Sequence, residues 1–358
     1  MTEGGIVLIF LILFFAMLLG GVNTARKNEF FMDYCSPENT SRVNAIFSIL
    51  IFFSHVTGYI DLTGDINTIY FDFRNFVGQG VVVTYLFYSG YGMMESIKRK
   101  GMDYIKSMPF NRFFKLWYHF AIVIALYVIA GLAVGRKFKL VNVLLSLTGY
   151  KAVGNSNWYL FATFALYIIV FVSFMIFRNK KYLAVTSVFV LTMIFMVWER
   201  SMDLPPRFYN TVLCLPTGML FSLLKPYVEK IITKNDIVWF TAFSSLLLVT
   251  AYFALNSKTG LNYYLYMLTL VILIVVATMK INIKSSVLDW FGAHIFSFFI
   301  LQRLPMIILQ SLGFNKQPYM FVMLSFFATV FLSLVFDECM DKLDSIIFKK
   351  KKGAMSVK

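Results

Sequence analysis

The chain has 358 residues, of which 59% are hydrophobic and only 14% are charged. Water-soluble domains of this length are not so apolar, so the composition excludes a soluble protein and predicts a polytopic membrane protein. The formal net charge of +15 would point to nucleic acid in a soluble protein, but here the basic residues punctuate apolar runs. Membrane topology explains them better, and no nucleic acid partner is expected.

Eleven apolar runs are long enough to cross a bilayer, which predicts an all-α, polytopic membrane helical bundle. The first run follows an acid and no basic stretch, so we expect a retained span and not a cleaved signal peptide. The apolar segment 140–148 is too short to cross and is expected at the surface or as a re-entrant piece. The predicted spans are 5–22, 43–60, 76–94, 113–134, 157–177, 181–198, 208–224, 237–255, 261–279, 288–312 and 318–336.

The distribution of lysine and arginine predicts the orientation of these spans. If the N-terminus lies outside, the inner segments hold 22 basic residues and the outer segments hold 9, with two more inside spans. Because basic residues concentrate on the cytoplasmic side, we expect an outer N-terminus and a cytoplasmic C-terminus in a plasma membrane.

The chain divides into three predicted parts. Residues 1–40 form an extra helix and linker, residues 41–348 a membrane domain, and residues 349–358 a polybasic tail suited to anionic lipids of the inner leaflet. No internal repeat is visible, which weakens a transporter built from inverted halves. The scattered cysteines, Cys35, Cys214 and Cys339, predict neither a disulfide framework nor a metal site.

Residues 44–59, NAIFSILIFFSHVTGY, combine an apolar span with a polar stripe. At about 100° per residue, Asn44 and His55 fall on nearly the same helix face, roughly 16 Å apart along the axis. Ser41 and Ser48 lie close to that line. Lipid cannot hydrogen-bond to this stripe, so we expect it to face protein or a water-filled cavity. His55 is either a functional residue or a histidine that only bonds a neighbouring helix, and the residues favour neither reading.

Arg112, Lys115 and His119 are spaced by three and four residues, so they share one helix face. A row of cations at the inner surface suits the phosphates of a cytosolic donor, because arginine offers a planar fork and lysine a point charge. The alternative, which spacing alone favours, is that these residues snorkel to lipid headgroups. Lys98 and Arg99 in the preceding segment are attributed to topology.

Arg303 and Gln302 form a second polar position, inside the predicted span 288–312. An unpaired guanidinium at that depth costs on the order of 3 kcal/mol, so Arg303 needs an anion, carbonyl groups or water. The candidate partners are Asp61, Asp65 or a substrate, and the sequence leaves them open. His294 is expected to lie at the inner interface.

The sequence NSNWYL opens the predicted span 157–177, with Ser156 or Asn157 as its predicted helix cap. Trp158 and Tyr159 there are most often interface anchors, although aromatic rings beside amides also hold sugars. Small residues in the stretch GQGVVVTYLFYSGYG predict close helix packing. No GxSxG or HExxH motif occurs and no paired carboxylates lie inside a span, so nothing supports a serine hydrolase, zinc peptidase or glycosidase.

Five stretches together resemble the acyltransferase-3 family of integral-membrane O-acyltransferases. They are NAIFSILIFFSH, YLFYSGYGMMES, RFFK at 112–115, NSNWYL with Tyr167, and ILQRLP. The resemblance covers nearly all of 41–348, and it implies a ten-helix core to which the first predicted helix is additional. It also implies transfer of acyl groups from cytosolic acyl-CoA to bacterial surface sugars.

The resemblance assigns roles to particular residues. His55 matches the family's histidine, while the basic position eleven residues before it is Asn44, with Arg42 as a possible substitute. Arg112 and Lys115 correspond to the family's arginine pair. Trp158 and Tyr167 match its tryptophan and tyrosine, Thr163 stands where a glutamate is usual, and Arg303 stands where a histidine is frequent.

The resulting hypothesis is an acetyl-CoA dependent O-acetyltransferase that needs no metal. His55 acts as general base or transient acyl carrier, supported by Asn44 and Arg42. Its acceptor is a surface polysaccharide or a lipid-linked glycan. The predicted donor site is Arg112, Lys115 and His119, and the predicted acceptor site is Trp158, Tyr159, Tyr167, Gln302 and Arg303. The alternative is a transporter of a small anion or a lipid-linked sugar, with Arg303 as the anion site.

Overall fold

The structure is a computed structural model that describes residues 11, 12, 15, 21–61, 65–256 and 260–348. Most of the predicted span 5–22 and the whole predicted tail 349–358 lie outside these residues.

Helices dominate the described part of the chain. They are α1 (Pro37–Val56), α2 (Asp65–Val77), α3 (Val83–Lys100), α4 (Met102–Met108), α5 (Lys115–Ala133), α6 (Leu140–Ser146), α7 (Trp158–Phe177), α8 (Lys181–Ser201), α9 (Cys214–Ile232), α10 (Asp236–Leu255), α11 (Leu261–Thr278), α12 (Ser286–Ala293), α13 (Ile295–Leu301), α14 (Arg303–Ser311) and α15 (Pro318–Ile347). A π-helical segment, Pro109–Phe114, joins α4 to α5, and 3₁₀ turns occur at Gly78–Val82, Pro206–Phe208 and Phe314–Lys316.

Six helices in the described residues are long and apolar enough to cross a membrane, and a bent pair makes a seventh. They correspond to the predicted spans 113–134, 157–177, 181–198, 237–255, 261–279, 318–336 and, for the bent pair, 288–312. The predicted all-α polytopic bundle is therefore confirmed. The predicted spans 43–60, 76–94 and 208–224 are largely helical, but their helices start and end at other residues.

The start of α1 shows why the apolar pattern misplaces helix ends. The Ser36 hydroxyl accepts a hydrogen bond from the Asn39 amide at 3.2 Å, and Pro37 occupies the first helical turn. Both features favour a helix start. The helix therefore begins six residues before the predicted span and ends at Val56, which places His55 in its last turn.

The predicted span 288–312 is one apolar run but not one straight helix. Its two halves, Ser286–Ala293 and Ile295–Ser311, meet at an angle of 71°. His294 lies at the bend, where its backbone N–H is shared between the carbonyls of Trp290 and Phe291, each at 3.2 Å. The bend directs the second half, with Gln302 and Arg303, towards the C-terminal end of α1.

A short antiparallel sheet was not predicted. It pairs β1 (Val22–Thr24) with β2 (Ile281–Ile283), with Asn23 opposite Asn282. Each strand has only three residues, which is too short for alternation to be distinguished from a loop.

Two glycines allow α3 and α9 to pack backbone against backbone. A Cβ atom on Gly90 would lie 2.0 Å from the carbonyl oxygen of Leu215, and one on Gly218 would lie 2.0 Å from that of Phe87. This confirms the expected close packing at Gly90. At Gly92 a Cβ atom would meet no other atom within 4 Å, so close helix packing does not explain the glycine at that position.

We expect Gly90→Ala to lower the free energy of unfolding by about 3 kcal/mol or more, because the methyl group forces α3 away from α9. Gly92→Ala is the matched control and should unfold at or above the wild-type temperature, since it replaces glycine by a better helix former in open space. Thermal unfolding of the detergent-solubilised protein, followed by size-exclusion chromatography, measures both. Equal melting of the two variants would contradict the packing.

Candidate functional site

The polar stripe of α1 faces the protein interior. Ser41 and Asn44 line a large cavity, Ser48 is fully buried, and His55 reaches the segment that precedes α7. The Tyr85 hydroxyl donates to the Asn44 carbonyl oxygen at 2.8 Å, which ties α3 to this face. The stripe therefore avoids lipid, as its composition requires.

His55 contacts polar groups from two distant segments. Its Nε2 lies 3.4 Å from the Ser156 hydroxyl oxygen. Its Nδ1 is buried and has no hydrogen-bond partner among the described residues, and the same holds for Oε1 of Gln302. Gln302 is fully buried, donates from Nε2 to the Phe299 carbonyl at 2.8 Å, and is an electrostatic neighbour of the imidazole.

The two ring nitrogens of His55 have different surroundings. Nε2 faces the Ser156 hydroxyl, whereas Nδ1 is buried without a hydrogen-bond partner among the described residues. A neutral imidazole whose Nε2 is unprotonated can accept a proton from a hydroxyl group or attack a carbonyl carbon through that atom.

The large cavity has a volume of about 820 Å³ and opens where α1 begins. Its wall combines the hydroxyl and amide groups of α1 with the charged end of α3 and with Arg112. Lys98 is paired with Glu95 at 2.8 Å, whereas Arg99 has no acidic partner among the described residues. Arg99, which sequence reasoning assigned to topology, therefore adds a free cation to this cavity.

Arg112 is the second free cation. It lies in the π-helical segment, with its guanidinium 5.7 Å from the Tyr104 ring and close to Tyr167. It forms no ion pair with any described acid, and it lines both the large cavity and a second one. A half-buried guanidinium held by aromatic rings is suited to an anionic ligand.

The second cavity has a volume of about 540 Å³ and contains the rest of the predicted cation row. Lys115 Nζ lies 2.5 Å from Asp344 Oδ2, and His119 Nε2 lies 3.0 Å from Asp344 Oδ1. His294 is paired with Asp337 at 2.5 Å in the same wall. The three residues of the predicted row therefore line one cavity, but two of them, Lys115 and His119, contact the carboxylate of Asp344 in α15.

A smaller cavity of about 140 Å³ lies next to both of these cavities. It shares Tyr85 and Ile295 with the large cavity and Tyr167 with the second one. Ile51 also lines it and precedes His55 by one helical turn, although His55 is not itself among its lining residues. The three cavities are therefore neighbours, and the smallest of them lies one helical turn from the imidazole.

Side chains from the N-terminal part of α7 line this small cavity. Tyr159 and Tyr167 line it, and the Thr163 hydroxyl donates to the Tyr159 carbonyl at 2.7 Å. Trp158 packs edge-on against Tyr159 at 6.2 Å. Asn157 is the N-cap residue, as predicted, but its side chain makes no capping hydrogen bond and donates instead to the Gly149 carbonyl at 2.7 Å.

Arg42 lies on another side of α1 from the stripe. Its Nε is 2.5 Å from Asp289 Oδ1, and its NH2 donates to Oδ2 at 3.2 Å. Arg42 lines a separate apolar cavity and precedes His55 by 13 residues, about 20 Å along the axis. The structure does not bring Arg42 to the imidazole.

Two other arginines hold the turn that follows His55. Arg74 donates to the Thr57 hydroxyl at 2.7 Å, and Arg303 donates from Nε to the Tyr59 hydroxyl at 3.2 Å. Neither forms an ion pair with a described acid, including the exposed Asp61. The side chain of Asp65 lies outside the described residues. Arg74 was missed from the sequence because it lies in a short, weakly apolar helix.

Cys35 also lines the large cavity, where burial disfavours its thiolate form. Burial raises the pKa of the Cys35 thiol to about 12, and burial likewise raises the pKa of the neighbouring Tyr34 phenol. At neutral pH the thiol is protonated, whereas the thiolate is the reactive form. Within the described residues, no group of three or more His, Cys, Asp or Glu side chains could hold a metal ion.

The fold and the site define a multi-pass membrane protein whose interior carries an imidazole, and the neighbouring cavities are lined by arginines that have no acidic partner among the described residues. A family model described as an acyltransferase domain, that of acyltransferase family 3, matches residues 43–338. Because this match spans most of the chain, the protein belongs to the acyltransferase-3 family and is a membrane acyltransferase. Comparisons with curated proteins and with solved structures gave no match.

The Arg42–Asp289 pair predicts a structural role for Arg42. Arg42→Gln and Asp289→Asn should each reduce the free energy of unfolding by at most about 1 kcal/mol, and the double variant should lose little more, because all three remove the same contact. Thermal unfolding of the three variants tests this. Acyl-transfer activity lost only in Arg42→Gln would instead restore Arg42 as the basic partner of His55.

Proposed function

We propose that this protein transfers an acetyl or other short acyl group from cytosolic acyl-CoA to a hydroxyl group of a cell-surface polysaccharide or its lipid-linked precursor. The observation that carries the proposal is that the cavity lined by Arg99 and Arg112 shares Tyr85 and Ile295 with a smaller cavity, which lies one helical turn from His55. A donor with phosphates at one end and a thioester at the other fits that distribution of charge and space.

The large cavity supports a phosphate-bearing donor at its open end. Arg99 and Arg112 lack acidic partners among the described residues, and guanidinium groups bind phosphates through paired hydrogen bonds. The smaller cavity is lined mainly by apolar and aromatic side chains, including Tyr85 and Tyr159. It suits the slender arm that carries the thioester, and its volume of about 140 Å³ favours a short acyl group.

In the proposed step, the acceptor hydroxyl oxygen attacks the thioester carbonyl carbon while His55 Nε2 takes the hydroxyl proton. The new C–O bond forms, the C–S bond breaks, and the coenzyme leaves as a thiolate that receives the proton from the imidazolium. This step requires Nε2 to be unprotonated, with the ring proton on Nδ1. Asn44 and Ser48, whose buried side-chain oxygens have no hydrogen-bond partner among the described residues, are available to polar groups of the arm.

A second route uses His55 as an acyl carrier. Nε2 attacks the thioester first, the coenzyme leaves, and the acceptor hydroxyl then takes the acyl group from the ring. Brief incubation with labelled acyl-CoA and no acceptor separates the routes, because only the carrier route leaves label on His55.

The orientation is part of the proposal. Lys98, Arg99, Arg112 and Lys115 surround the open ends of the two larger cavities. Such basic clusters favour the cytoplasmic side of a plasma membrane, where acyl-CoA is found. His55 then lies nearer the outer surface, where a surface glycan is reached, and the C-terminus is cytoplasmic.

The rival function is transport of a small anion or a lipid-linked sugar. Arg303 favours it, because its guanidinium bonds a neutral hydroxyl and forms no ion pair with any acid among the described residues. Transport requires no acyl-CoA, so the release of free thiol from acetyl-CoA by the purified protein distinguishes the two functions. Uptake or export without thiol release would favour the rival.

His55→Ala should lower the turnover rate by about 10²- to 10⁴-fold, because the variant loses its general base or acyl carrier. The Michaelis constant for acetyl-CoA should stay near the wild-type value, since the donor phosphates bind elsewhere. Thiol release and glycan acetylation by the purified variant measure both quantities. Full acetylation by a folded His55→Ala protein would end this assignment.

Arg112 and Lys115 provide a matched pair from one row. Arg112→Gln should raise the Michaelis constant for acetyl-CoA by about 10- to 100-fold, because a hydrogen bond to a charged group is lost. Lys115→Gln should raise it by less than about threefold, because Asp344 already neutralises that lysine. Steady-state kinetics with varied acetyl-CoA measures both constants. Equal effects would show that Asp344 moves away when the donor binds.

A further inference from the structure

Two arginines flank the turn that follows the reactive histidine. His55 is in the last turn of α1, and residues 57–60 form the turn beyond it. Arg74 of α2 donates to the hydroxyl of Thr57, and Arg303 of α14 donates to that of Tyr59. Both cations are electrostatic neighbours of the imidazole, so they act on the same small region.

Among the described residues, both guanidinium groups retain unused donors. Each has five N–H groups, and the hydroxyl hydrogen bonds of Arg74 and Arg303 use one donor apiece. Both also lie over ring faces, Arg74 at 5.7 Å from Phe71 and Arg303 at 5.7 Å from Tyr59. Neither forms an ion pair with a described acid. This region therefore offers positive charge and hydrogen-bond donors together.

The surrounding backbone adds no compensating charge. The segment before α7 supplies Ser156 and Asn155, both neutral and buried. Gln302 is neutral as well, and a third arginine, Arg136, lies beside Gly154 of the same segment. Lipid phosphates are an alternative partner for such cations. However, Arg74 and Arg303 are half-buried and bond the turn after His55, which directs their charge towards the reaction site.

We propose that Arg74 and Arg303 form an anion subsite for the acceptor, so that the glycan acylated by this protein carries a carboxylate or phosphate group close to its reacting hydroxyl. This inference rests on the proposed acyltransferase function and narrows its substrate class. The anion binds between the two guanidinium groups, and the neighbouring hydroxyl is thereby held at Nε2 of His55. A neutral glycan leaves both cations uncompensated and binds less tightly.

The first test compares surface glycans of cells that express the full chain with those of cells that lack it. The glycans are separated by anion exchange, and their O-acyl esters are located by mass spectrometry. The esters that depend on the chain should lie on repeat units with a carboxylate or phosphate. Chain-dependent esters confined to neutral repeat units would overturn the inference.

The second test uses the purified full-length protein in lipid nanodiscs with labelled acetyl-CoA. The acceptor is the acidic glycan fraction, from which the esters have first been removed by mild alkali. It is tested in three preparations: without further treatment, with its carboxyl groups reduced, and with its phosphates removed. The treatment that removes the recognised anion should lower labelling at least about tenfold. Which of the two treatments has this effect shows whether the anion is a carboxylate or a phosphate. Equal labelling of all three preparations would overturn the inference.

Variants separate acceptor recognition from the chemical step. Arg74→Gln and Arg303→Gln should each raise the Michaelis constant for the acidic acceptor by about tenfold or more and leave that for acetyl-CoA unchanged. Arg74→Lys and Arg303→Lys should recover part of the loss by restoring the charge. Arg207→Gln is the control, because Arg207 is exposed in another segment and contacts none of these residues. The proposal would be overturned if both glutamine variants kept the wild-type Michaelis constant for the acidic acceptor. It would also be overturned if these variants changed only the dependence of activity on anionic lipid in the nanodiscs.

Failure of the proposed function gives a different result. A protein that releases no thiol from acetyl-CoA with any acceptor is not an acyl-CoA dependent transferase. A protein that releases thiol and labels neutral glycans as well as acidic ones retains that function but lacks the anion subsite.

Discussion

The polar stripe of α1 imposes the main constraint on this protein, because lipid offers no hydrogen bonds to Asn44, Ser48 or His55. These groups must face other segments of the chain, and the structure supplies three of them. They are α3 through Tyr85, the segment before α7 through Ser156, and the junction of α13 and α14 through Gln302. Several of the stripe's atoms nevertheless have no hydrogen-bond partner among the described residues. Polar groups left unpaired in a buried position are costly for stability, and the proposed function assigns these groups to the substrates.

Local rules explain how much of this arrangement the sequence predicts. The face shared by Asn44 and His55 follows from the period of the α-helix, and the structure preserves it. The apolar runs likewise predict most spans, because length and hydropathy are properties of a continuous segment. Helix ends are less predictable: α1 starts at a capping serine outside its apolar run, and the run 288–312 bends by 71° at His294. The hydropathy of this run is continuous across His294, so it does not indicate the bend.

The partners of the site residues depend on long-range contacts and were not predictable. The row Arg112, Lys115, His119 is visible from its spacing, but its charge state depends on Asp344, which lies 225 residues beyond His119. Ser156, whose hydroxyl lies next to His55 Nε2, is 101 residues away in the chain. The sequence did not indicate that Arg99 and Arg74 belong to the candidate site. A basic residue near a helix end is expected at the membrane surface in any case, so its local sequence does not show whether it contacts lipid or lines a cavity.

The acidic residues of this basic chain pair mainly with lysines and leave most arginines without an acidic partner among the described residues. The chain has 33 lysine and arginine residues against 18 acids, so many cations must lack a partner. In the described part of the chain, acids pair with Lys98, Lys115, Lys225, Lys280 and Lys342, and of the arginines only Arg42 is paired. The arginines next to the cavities and the imidazole are left free. Arginine is the side chain that binds carboxylate and phosphate through two parallel hydrogen bonds, so this selective pairing leaves anion-binding capacity at both ends of the proposed route.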